Sequence, residues 1–118
     1  MNTIQDFITL LFEVEVNAHI AHLQTKSYAE HKALNELYEE IVDLRDRFAE
    51  AYQGEYGIIK GYKIIKPLET NDFLSYLSEV CNKVELFKKG LDETYLQQIC
   101  DDISELLYDV KYKLKNLH

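Results

Sequence analysis

Three of the four glycines and the only proline of this 118-residue chain fall in one stretch, residues 54–69 (GEYGIIKGYKIIKPLE). Glycine and proline are the residues that most readily interrupt regular structure. The rest of the chain is therefore free to run in long helices, with Gly90 as the one further break. At this length the chain forms one domain, and 47% hydrophobic with 29% charged residues is the mixture of a folded globular protein.

Apolar residues recur three and four apart over residues 3–24, where Ile4, Phe7, Ile8, Leu11, Val14, Ala18 and Ala21 make one stripe. Phe12, Val16 and Ile20 add a second. A helix apolar on two sides contacts two partners, here the bundle and a neighbouring subunit. Ser27 opens a second helix over 27–53, with Glu30 placed to close a capping box and Gly54 expected to end it. Its stripe runs from Ala33 and Leu34 through Leu37, Ile41 and Leu44 to Phe48. A third helix spans 71–89, and Asp92 is expected to cap a fourth over 92–116.

The isoleucines of residues 54–69 suit extended backbone. They could form a small hairpin around Gly61 or a crossover along the bundle. About sixteen extended residues reach roughly 50 Å, whereas a helix of about 25 residues is roughly 37 Å long. A crossover with its isoleucines packed on the helices is the expected form. The predicted fold is all-α: a ferritin-like four-helix bundle, two antiparallel helical hairpins joined by a long crossover.

The net charge of −8 argues against a whole-surface affinity for DNA or acidic membranes. The first segment has no cationic start, and Asp6, Glu13 and Glu15 break its apolar run, so neither a targeting signal nor a membrane span is expected. Cys81 and Cys100 are too few for a disulfide framework. They read as buried free thiols of a cytoplasmic protein in a reducing compartment.

Four residues carry the candidate chemistry. His19, His31, Asp46 and Glu50 are all good ligands for iron or zinc. His19 and His31 each lie six residues from a turn near Thr25, which places them at one level on adjacent helices. Asp46 and Glu50 are an i,i+4 pair on one helix face. The fifteen residues from His31 to Asp46 span roughly 22 Å of helix, so one chain cannot close the site. Two hairpins related by a two-fold axis could build two identical His/His/Asp/Glu sites. His22, one turn from His19, is a further candidate ligand.

The run HIAHLQTKSYAEHKALNELYEEIVDLRDRFAEAYQG resembles the first helical hairpin of the Dps family, ferritin-like proteins that protect DNA in starved cells. That family's spacing of two histidines, an aspartate and a glutamate is met by His19, His31, Asp46 and Glu50. The resemblance implies a ferroxidase centre holding one or two iron ions, with zinc as a substitute. The histidines would come from one subunit and the carboxylates from its partner. It further implies oxidation of Fe(II) by peroxide or dioxygen and a dodecameric shell, with no catalytic residues beyond the metal ligands. The chain departs from that family at Ile20, where tryptophan is usual, and in starting Met-Asn-Thr-Ile-Gln-Asp without a lysine-rich tail. Direct DNA binding is therefore not expected.

Two other functions fit the same residues. One is a metal-free helical dimer used for assembly or regulation. The other is a MazG-like nucleotide pyrophosphohydrolase, whose EExxE element Glu39-Glu40-Ile41-Val42-Asp43 faintly resembles. Its ExxD element is not matched, since Glu79 is followed three residues later by Asn82.

Overall fold

Helices start where a short polar side chain can take a backbone N–H that the first turn leaves unpaired. In the computed structural model, which describes residues 3–117, Thr3 does so for α1 (Ile4–Gln24): its hydroxyl accepts from the Asp6 N–H while Asp6 returns a bond to the Thr3 N–H. Ser27 caps α2 (Tyr28–Tyr56) through the Glu30 N–H. The expected capping box is only half made. Glu30 instead accepts the Thr25 hydroxyl, and that same oxygen takes the Ser27 N–H, so the box is rerouted into the link between α1 and α2.

Gly54 does not end α2. The helix runs through it to Tyr56, and Gly57 at φ +95° is the cap, its N–H on the Gln53 carbonyl. The extra turn is held by Tyr52 and Tyr56, whose rings lie 4.6 Å apart, and by the Tyr56 hydroxyl on Glu93. Asp72 caps α3 (Phe73–Lys89) by accepting from both the N–H and the hydroxyl of Ser75. These bonds hold its carboxyl below the usual range. For α4 (Thr94–Asn116) the cap position falls to Glu93 rather than Asp92, and Glu93 makes no side-chain cap because its carboxylate takes the Tyr56 hydroxyl.

The bundle closes in the order α1, α2, α4, α3, with α3 touching α1 only lightly. Phe7, Phe48 and Phe87 tie α1, α2 and α3 together at one end: Phe7 stacks on Phe87 at 4.2 Å and meets Phe48 edge-on at 4.9 Å. Leu11, Leu37, Ile41, Leu77, Ile103 and Leu107 continue the core and are fully buried. The molecule measures 43 × 26 × 20 Å.

Residues 57–72 are the crossover, and the described residues contain no strand, so the hairpin around Gly61 is not formed. The crossover climbs α1 from its first turn upward. Gln5 donates to the Lys60 carbonyl, Thr9 accepts from the Lys63 N–H, and Asn17 accepts from the Leu68 N–H at 2.8 Å. This is the predicted architecture of two antiparallel hairpins joined by one long connection. The isoleucines depart from expectation. Only Ile59 is buried, while Ile58 is 71% and Ile64 83% exposed, because the backbone reaches α1 through side-chain hydrogen bonds rather than through its own apolar groups. Among the described residues no helix is long and apolar enough to cross a membrane. The chain's first two residues, part of the start read for a basic tail, lie outside the described residues.

Candidate functional site at the first helical hairpin

A helix ends with carbonyls that no following N–H can reach. At the end of α1 one of these belongs to His22, and the His31 ring supplies the missing donor: its Nδ1 lies 3.0 Å from the His22 oxygen. The arrangement is reciprocal, since His22 Nδ1 lies 2.7 Å from the His31 carbonyl. A carbonyl can only accept, so both rings carry their proton on Nδ1. The two imidazoles stack with centroids 3.5 Å apart, and His22 is buried.

His19 is exposed and lies one turn back, flat on the Tyr38 ring at 4.1 Å and 5.8 Å from His22. The Tyr38 hydroxyl donates to Asn35. The level pairing is thus His22 with His31, not His19 with His31. The reason is the position of the turn. The non-helical link is Thr25-Lys26-Ser27, centred on Lys26, which moves the level opposite His31 from His19 to Ala21, about half a helical turn along α1 and next to His22.

Asp46 and Glu50 stand far down α2, both exposed. Asp46 is already engaged: it accepts from Arg45 Nε at 3.1 Å. Arg45 is buried, pairs with Glu15 of α1, and lies 3.9 Å over the Phe12 ring. A fixed cation therefore stands beside the carboxylate that a metal would use. Among the described residues no group of three His, Cys, Asp or Glu side chains could hold a metal ion. Glu39, Glu40 and Asp43, the acids of the pyrophosphohydrolase pattern, form no such group either.

Two features of the sequence gain meaning only in the fold. One is Arg45, whose signal was an arginine at a position that falls on the buried side of α2. The other is the crossover, where Lys60, Lys63 and Lys66 are spaced three apart among isoleucines. Tyr62 of this segment meets Phe12 edge-on at 6.2 Å, so part of the second α1 stripe is covered by the chain itself. Val16 and Ile20 are half-buried, and Leu23 is 73% exposed.

These features define a small all-α bundle whose distinctive parts are an interlocked histidine pair and an outward-facing crossover. A family described as a family of unknown function, DUF5856, matches residues 22–114, and the chain belongs to it. A relative in Enterobacteria phage T4, the uncharacterized 14.6 kDa protein in the mobD-ri intergenic region, is 30% identical over 112 residues. The match covers 92% of this chain and 85% of that protein. No solved structure matches. The expected place in the Dps family is corrected by these matches. Three of its four positions have other partners here: His31 is tied to His22, His19 to Tyr38 and Asp46 to Arg45.

Proposed function

We propose that the chain is a metal-free helical assembly protein that forms homo-oligomers through its crossover and the adjoining face of α1. The observation that carries this is the exposure of Ile58 and Ile64 on a connection whose backbone is already secured to α1. Covering each of these side chains is worth about 1–2 kcal/mol. Leu23, with Val16 and Ile20 beside it, extends the apolar surface along α1. Large apolar side chains left exposed on an element whose backbone is already secured suit a contact site. The buried thiols of Cys81 and Cys100 support residence in a reducing compartment such as the cytoplasm.

Sedimentation velocity tests the assignment. Wild-type protein is expected to sediment above the 13.9 kDa protomer, and Ile58→Ser with Ile64→Ser to return it to the protomer with unchanged helicity. A wild-type protein that stays monomeric at every concentration reached overturns the assignment.

A second reading keeps His19, His31, Asp46 and Glu50, with His22, as an iron site shared across a two-fold dimer. The observation in its favour is that carbonyls hold Nδ1 of His22 and His31, which leaves each Nε2 lone pair available, the usual arrangement of a ligating histidine. Against it, the two rings stack face to face within 24° of parallel, and lone pairs lying in such ring planes do not converge on one ion between them. Anaerobic titration with Fe(II), followed by oxygen or peroxide and with zinc as competitor, decides the matter. Saturable binding weakened by His31→Ala and Asp46→Ala would establish the site. Binding and oxidation no different from a protein-free control would remove it.

A further inference from the structure

We infer that copies of this chain join head to tail, the lysine-bearing crossover of one docking in the acidic groove between α2 and α4 of the next. The inference rests on the assembly function above and adds what the crossover meets. The order α1, α2, α4, α3 around the bundle puts the α2–α4 side opposite the α1–α3 side, where Lys63, Ile64 and Lys66 of the crossover line a groove with Asp6 and Glu13 of α1 and Lys83 of α3. The α2–α4 groove has a volume of about 530 Å³ and six carboxylates around Leu44 and Leu106. Lys113 holds Glu36 and Asp109, and Arg47 holds Asp102. Glu40, Asp43 and Glu105 are left without a cation in contact among the described residues. Partial desolvation at the groove wall, together with the neighbouring Glu36, raises the Glu40 carboxyl above its ordinary range against the opposing pull of Lys113, and an incoming ammonium group favours its charged form.

The other half of the contact has matching chemistry. Lys60, Lys63 and Lys66 are exposed and make no ion pair among the described residues. Residues 57–69 hold these three lysines against Glu69 alone, a charge of +2, while the rest of the chain carries −10. Ile64 stands between Lys63 and Lys66 and can cover the half-buried Leu44 as the lysines meet the acids. An anionic polymer could also answer the lysines, but it would have to approach a chain of net charge −8. A second copy brings complementary charge and an apolar floor together. Because the two surfaces differ and lie on opposite sides, each added copy exposes a fresh groove and a fresh crossover, giving a ring or a filament rather than a closed two-fold dimer.

Charge reversal of each half tests this in the full chain. One variant combines Lys60→Glu, Lys63→Glu and Lys66→Glu; the other combines Glu40→Lys, Asp43→Lys and Glu105→Lys. All six positions are exposed, and circular dichroism with a thermal melt checks that both variants fold. Each alone is expected to associate about tenfold more weakly than wild type or worse. Mixing the two restores association, because reversed crossover then meets reversed groove. Added salt weakens the wild-type assembly. If the groove variant assembles like wild type while Ile58→Ser with Ile64→Ser still dissociates it, the head-to-tail contact is wrong and the assembly face stands. If mixing fails to restore association, the two surfaces do not meet. A wild-type monomer overturns both.

Discussion

Asn17 is buried in a helix, an expensive place for an amide unless every polar atom is matched. Its nitrogen donates to the Tyr76 hydroxyl at 3.0 Å and its oxygen accepts from the Leu68 N–H, so one side chain joins α1, α3 and the crossover. Asn17→Ala is expected to cost about 2 kcal/mol, because it leaves both partners unpaired. Urea unfolding measures it, and a cost no larger than a surface substitution would deny the clamp. Tyr76 adds a pH signature. Burial pushes its hydroxyl from 10 up to about 12, against the opposing bond from Asn17. A folded-state value above the unfolded one gives stability that is complete below pH 10 and lost as pH rises through about 12. Tyr76→Phe should therefore flatten the alkaline fall in stability by up to about 2–3 kcal/mol; unchanged slopes would contradict this. Asn17 was not legible in advance, since its role depends on a crossover that passes it 51 residues later. The histidines were legible as a group but not in their pairing, which turns on where a three-residue link is centred.

Helix content was plain in the sequence because apolar residues at intervals of three and four leave little freedom in what they bury. Helix ends were less so. Gly54 and Gly57 are equivalent as stop signals, and the choice between them falls to tertiary partners, Tyr56 on Tyr52 and on Glu93. The same partners explain the shift of the α4 cap from Asp92 to Glu93. Opposite responses follow at the two glycines. Gly54 lies inside α2, and a Cβ there meets nothing within 4 Å, so Gly54→Ala should stabilise by about 0.5–1 kcal/mol. Gly57 holds φ +95°, where a side chain is strained, so Gly57→Ala should destabilise by about 1 kcal/mol although the space is equally open. Melting temperatures of the pair check this. Two shifts of the same sign would mean that the helix does not end where the structure puts it.

At the scale of the molecule, connectivity could be anticipated because sixteen residues between the hairpins are long enough to cross the bundle, and physical length is a robust constraint. The chemistry of opposite faces could not, since Lys63 and Glu105 acquire meaning only once the order of helices around the bundle is known. That order also bears on cooperativity. The hairpin of α3 and α4 is linked to the first by the crossover and by the α2–α4 seam, while α3 meets α1 lightly. Cys81 of α3 and Cys100 of α4 are both buried, and burial raises both thiols, Cys100 to about 12, so neither reacts from the closed state. If the bundle opens as one unit, both thiols should react with an exposed-thiol reagent at a common rate equal to that of global unfolding. Mass spectrometry of the labelled protein reads the two sites separately. Labelling of both thiols ahead of unfolding would instead show the second hairpin opening on its own, with the α2–α4 seam as the weak joint.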